Sequence, residues 1–99
     1  MDTPTAADFA DAAELFGLLA TPIRVQLLWL LAGEEHDVSS LAEAVGASVP
    51  NVSQHLAKLR LAGLVGKSRR GRRQIYLVED RHALKLVRQA LAHAAHLAT

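Results

Sequence analysis

Apolar residues recur along most of this chain at the three- and four-residue spacing of helices, and a short alternating stretch after residue 70 interrupts them. Phe9, Ala12, Ala13, Phe16, Leu19 and Ala20 mark one side of an amphipathic helix over 6–19. Thr21 and Pro22 end it, and the same pair suits the cap and first turn of a second helix over 22–31. Ile23, Val25, Leu27, Leu28, Leu30 and Leu31 leave that helix little polar surface, which puts it at the centre of the core. Residues 32–37 are polar, contain Gly33 and read as a loop. Ser40 followed by Glu43 has the capping-box spacing ahead of a short helix over 41–45.

Gly46 and Ala47 make a tight turn, after which Ser48 caps another helix that tolerates Pro50 in its first turn. Val52, Leu56 and Leu59, spaced four and three, set its inner face, and Gly63 ends it. Asn51, Ser53, Gln54, His55 and Lys58 are left outside or on the flanks. Ile75 and Leu77 then alternate with Tyr76 and Val78, predicting a two-stranded hairpin over 66–70 and 72–78 with Gly71 at its turn. A last helix over 80–98 carries Leu84, Val87, Leu91 and Ala94 in one stripe, and its alanines allow a second helix to approach closely. The expectation is a mainly α chain of about five helices and one hairpin, with residues 1–99 forming a single domain. A core of this size is marginal alone and is often strengthened by oligomerisation.

Charge changes the picture more than composition does. The net charge of +1 conceals an acidic first part, in which residues 1–43 hold eight acids and the single base Arg24. Residues 44–78 hold no acid, but carry Lys58, Arg60, Lys67, Arg69, Arg70, Arg72 and Arg73. Such a concentration gives one face a positive potential and points to a polyanion. The absence of cysteine excludes disulfides and thiolate metal sites, leaving nitrogen and oxygen donors. No run of about eighteen apolar residues occurs and the amino terminus is acidic, so the expectation is a cytoplasmic protein without membrane partners.

Two short helices joined by a glycine-containing turn, the second polar outside and apolar inside, are what a helix-turn-helix requires. Gln54 is the first candidate for contact with base edges, beside Ser53 and His55, while Lys58 and the hairpin arginines suit phosphates. The run from Ser48 through Val49, Pro50, Asn51, Val52, Ser53, Gln54, His55, Leu56, Ala57, Lys58, Leu59 to Arg60, followed by Ala62, Gly63, Leu64 and Val65, resembles the recognition helix of the ArsR/SmtB winged-helix repressors. The stretch Leu19, Ala20, Thr21, Pro22, Ile23, Arg24 is similar to the same family. The resemblance covers roughly residues 9–97. It implies a winged helix-turn-helix homodimer pairing through its first and last helices, a palindromic double-stranded DNA operator, and release of DNA when an inducer binds. It also implies DNA contact by Ser53, Gln54 and His55, with Arg69, Arg70, Arg72 and Arg73 on the wing.

A second constellation lies near the carboxyl end, where Asp80, His82, His93 and His96 are metal-ligand types. Eleven helical steps from His82 to His93 span roughly 16 Å, too far for one ion, yet return to within roughly 20° of the same face. An antiparallel copy of the helix would bring Asp80 and His82 of one chain to His93 and His96 of the other, giving two equivalent sites per dimer. Asp80 fits best at the start of the helix, where its backbone need not be helical. Three imidazoles and a carboxylate suit zinc first, with cobalt as its substitute and nickel a close second. The four residues also resemble the terminal-helix site of the family's zinc, cobalt and nickel sensors. The family's other metal site needs cysteines around residues 37–41 and is absent.

The competing expectation is a regulator of the same fold answering to a non-metal ligand or a protein partner. A metal-dependent hydrolase is disfavoured, because four protein ligands leave no open position for water. A protein-interaction module would use the basic hairpin for an acidic partner.

Overall fold

The computed structural model describes residues 2–98 of the chain. Five helices occur in the order α1 (Ala6–Leu18), α2 (Pro22–Gly33), α3 (Val38–Val45), α4 (Val49–Leu61) and α5 (Arg81–Ala98). Strand β1 (His36–Asp37) lies between α2 and α3, while β2 (Val65–Arg70) and β3 (Arg73–Val78) lie between α4 and α5.

Local chemistry sets most boundaries. Thr5 and Asp8 form a reciprocal capping box on α1. Ser48 accepts the Asn51 N–H at 3.2 Å to start α4, with Pro50 accommodated in the first turn. Gly63, at φ 79°, closes α4: its N–H donates to Arg60 and that of Leu64 donates back to Leu59. That is the bonding of a Schellman motif, which needs a left-handed residue. The cap of α3 differs from the expected one. Asp37, not Ser40, precedes the helix and accepts the Ser40 N–H at 2.8 Å, so α3 begins at Val38.

The sheet also exceeds expectation. Residues 36 and 37, expected in a loop, pair antiparallel with Tyr76 and Ile75, giving the order β1-β3-β2. Two paired residues make a strand too short to leave an alternating signature, and it exists because β3 offers a free edge. In the hairpin Arg70 pairs with Arg73, so Gly71 and Arg72 form a two-residue turn. Gly71 has φ 64° while Arg72 does not share a positive φ, the requirement of a type II′ turn.

The core is apolar: Leu27, Leu28, Leu41, Val52, Leu56, Leu59 and Val65 are almost completely enclosed, and among the described residues no polar or charged one is buried with them. Helix α2 supplies its centre and meets α3, α4, α5 and β3. Other apolar surface has no covering within the chain. No residue of α1 is fully buried, Phe9, Phe16 and Trp29 remain more than half exposed, and among the described side chains of α5 only Ala83, Leu84 and Val87 are buried. Among the described residues no single helix is long and apolar enough to cross a membrane.

Candidate nucleic-acid interface and metal-ligand residues

Helix α4 turns Val52, Leu56 and Leu59 into the core, so the positions between them face away. Asn51, Gln54 and Lys58 are exposed, and Ser53 is half-buried. His55, expected outside or on the flank, is also half-buried, and its Nδ1 accepts from Arg24 Nε at 3.1 Å. The same guanidinium donates through Nη1 to the Leu18 carbonyl at 3.0 Å, so Arg24 of α2 spans the end of α1 and the outer part of α4. Burial first, then the charges of Arg24 and Lys58, push the His55 imidazole below its ordinary value.

The wing arginines divide into two pairs. Arg70 meets Glu35 with both terminal nitrogens, at 2.7 and 3.0 Å, a two-pronged contact. Arg73 donates from Nε and Nη2 to Asp37 Oδ2, at 3.0 and 2.7 Å. Arg69 reaches only the Gly71 carbonyl of its own turn, at 3.2 Å, and Arg72 at the tip has no hydrogen-bond or ion-pair partner among the described residues. Asp37 therefore caps α3 with Oδ1 and holds the wing with Oδ2. The Ser40 N–H and the Arg73 guanidinium together keep its carboxyl below the usual carboxylate range. Sequence reasoning missed Glu35 and Asp37 as anchors of the wing. The available signal was Asp37 three residues before Ser40, a capping spacing as good as that of Ser40 before Glu43.

At the other end, Asp80 stands just before α5, and its Oδ1 accepts the N–H groups of His82 and Ala83 at 2.8 and 3.2 Å. It is the helix cap. His82 lies beside it, with Nδ1 3.5 Å from the same oxygen and the side chain 96% exposed. His93 and His96 lie on the exposed second half of α5, one turn apart. Because α5 is one continuous helix, the two pairs stay at its opposite ends, and among the described residues no three metal-ligand types group together within the chain. The donor set itself, three accessible imidazoles and one carboxylate, fits a borderline divalent ion. Met1, whose amine could add a donor for nickel, falls outside the described residues. His36 sits on β1, 3.0 Å from Ser40 Oγ, and belongs to the wing junction.

The two regions are joined by backbone. The Leu64 carbonyl, just past α4, accepts the N–H groups of both Glu79 and Asp80, at 3.0 and 3.3 Å. The exit of α4 and the entry of α5 therefore share one acceptor.

Comparison with known proteins agrees with this architecture. The family described as bacterial regulatory protein, arsR family, matches residues 21–67. The transcriptional regulator KmtR of Mycobacterium tuberculosis is 49% identical over 83 residues, which are 84% of this chain and 64% of that protein, so the chain spans somewhat less than two thirds of this relative. Among solved structures, the homodimeric winged helix-turn-helix DNA-binding domain of Mb0332 from Mycobacterium bovis, a possible ArsR-family regulator, superposes with a TM-score of 0.79 at 31% identity, covering 96% of this chain and 91% of that one. The antimony-specific transcriptional repressor AntR gives a TM-score of 0.87 at 28% identity, covering 98% and 88%.

Proposed function

The chain belongs to the ArsR family of bacterial regulatory proteins, a family of regulators and not of enzymes, and from that premise we propose that it is a homodimeric repressor whose grip on a palindromic operator answers to zinc or nickel. The observation that carries the DNA reading is the outer face of α4. Asn51, Ser53, Gln54, His55 and Lys58 lie between its buried leucines, with a basic hairpin alongside that has Arg72 at its tip. A helix of this kind enters the major groove, where Gln54 and its neighbours meet base edges, while Lys58, Arg69 and Arg72 meet phosphates. Arg70 and Arg73 bear on DNA through the placement of the wing, or by exchanging Glu35 and Asp37 for phosphate.

The dimer follows from what the chain leaves uncovered. Helix α1 has no fully buried residue and only Leu15 and Leu18 half-buried, and α5 from Arg88 to Leu97 is exposed, including the apolar Leu91 and Leu97. A second copy seated on these helices covers both and sets two α4 helices roughly 34 Å apart, one turn of DNA. Reading and pairing surfaces thus lie in one domain, acting in the cytoplasm where its operator is.

Asp80 and His82 of one protomer, with His93 and His96 of the other, are the residues that would hold the ion, zinc ahead of nickel, with cobalt in zinc's place. When bound, the ion supplies a strong cross-link between the two α5 helices. The protein's own part is the carbonyl of Leu64, which joins the two residues leading into α5 to the segment just past α4. A change in the setting of α5 is thereby felt by the reading helix. Repression is relieved if the free dimer binds the ion more tightly than the DNA-bound dimer does, by a coupling of about 1–3 kcal/mol, and DNA then weakens the ion equally.

The test is a titration of the dimer on candidate promoter DNA, with zinc and nickel compared. His93→Ala should keep its DNA affinity and lose the metal response. A variant that still released DNA on metal addition would show the site to be misassigned, and equilibrium dialysis without stoichiometric binding would favour a regulator with a different ligand.

A further inference from the structure

Resting on the DNA-reading role of α4, we infer that Arg24 is a specificity-determining residue, which fixes the tautomer of His55 so that its Nε2 reads a hydrogen-bond acceptor on a base edge. The argument begins with the guanidinium, which carries donors and no acceptor. Its Nε lies 3.1 Å from His55 Nδ1, so that ring nitrogen must be the acceptor and bear no proton. In the neutral imidazole the single proton is then on Nε2.

Two further features hold this state. The guanidinium cannot drift, because Nη1 is tied to the Leu18 carbonyl at 3.0 Å. The charged groups acting on the ring, Arg24 from α2 and Lys58 from α4, are both cations, and with burial they disfavour the imidazolium that would carry protons on both nitrogens. His55 Nε2 has no protein partner among the described residues. The result is an N–H donor of fixed polarity on the reading helix, next in sequence to Gln54. An unrestrained surface histidine would exchange tautomers and accept or donate as required.

In the major groove the matching acceptors are purine N7, guanine O6 and thymine O4, whereas cytosine presents the N4 amino donor. A donor facing that amino group leaves both unpaired, which is how one contact discriminates. Arg24 does not touch DNA in this scheme; it acts through His55.

Two measurements test the inference. Long-range proton–nitrogen NMR of the wild-type dimer should show His55 as the Nε2–H form, titrating below 6.5. In Arg24→Met the ring should become a mixture of tautomers and titrate higher. Selection from randomised duplexes should give, for the wild type, half-sites that disfavour cytosine at one position by about fivefold or more. Arg24→Met should lose that preference and keep the others. An Nδ1–H tautomer in the wild type, or unchanged base preferences in the variant, would overturn the inference, and the first of these needs no variant to fold. Should the wild type select no sequence at all, the DNA-reading role itself falls.

Discussion

Asp37 serves two elements with one carboxylate, capping α3 and binding Arg73, and two substitutions separate these duties. Asp37→Asn keeps a cap-forming oxygen and loses the ion pair, whereas Asp37→Ala loses both. Thermal unfolding near neutral pH should rank wild type above Asp37→Asn and Asp37→Ala lowest, with a total drop of about a few degrees. The sign of the pH effect follows from the depressed carboxyl. The folded state binds its proton less readily than the unfolded chain, so the contribution is complete above the ordinary value of 3.8 and fades as pH falls through the lower folded value. The stability gap between wild type and Asp37→Asn should therefore close in acid and stay constant from pH 5 to 7. His55 behaves similarly in a higher window. Its folded value is also depressed, so its contribution is present above 6.5 and is lost as pH falls below that.

Helix α4 separates packing from the proposed DNA contacts within three residues. Leu56→Ala removes a fully enclosed side chain and should lower stability by about 2–5 kcal/mol, as urea unfolding would measure. Gln54→Ala, on the exposed side, should leave stability within about 0.5 kcal/mol and weaken operator binding. The wing makes a similar contrast. Arg72→Ala should flatten the dependence of DNA affinity on salt by about one charge per subunit, while Arg70→Ala, removing a side chain already paired with Glu35, should change the slope by less. Equal slopes for the two variants would show that DNA draws Arg70 off its carboxylate. These elements were unequally legible from sequence. The inner face of α4, its Ser48 cap and Gly63 exit follow from spacing and side-chain chemistry within a few residues. Strand β1 and the two wing ion pairs depend on chain segments 35 or more residues apart, and no local pattern carries them, whereas the Asp37 cap is a local contact that competes with the spacing of Ser40 and Glu43. The candidate metal ligands were legible as residue types and spacing, while the hydrogen bonds by which Asp80 caps α5 show only in the fold.

For the whole molecule, the decisive fact is that several of its large apolar side chains lie outside its own core. Phe16 is 61% exposed and Trp29 55%, which a small chain sustains poorly without a partner. If the proposed dimer reads a palindrome, Phe16→Glu should shift the protein toward monomer in sedimentation equilibrium and weaken DNA binding steeply, because a single α4 would then read only half of it. A dimer of unchanged strength would place the pairing surface elsewhere. The joint at the Leu64 carbonyl bears on how such a scaffold can change its chemistry. A main-chain oxygen gripping two main-chain amides takes no account of which side chains stand at those positions. In the proposed scheme, the residues that greet an effector can be exchanged for others of different taste while the mechanical link to the DNA-facing half is inherited intact.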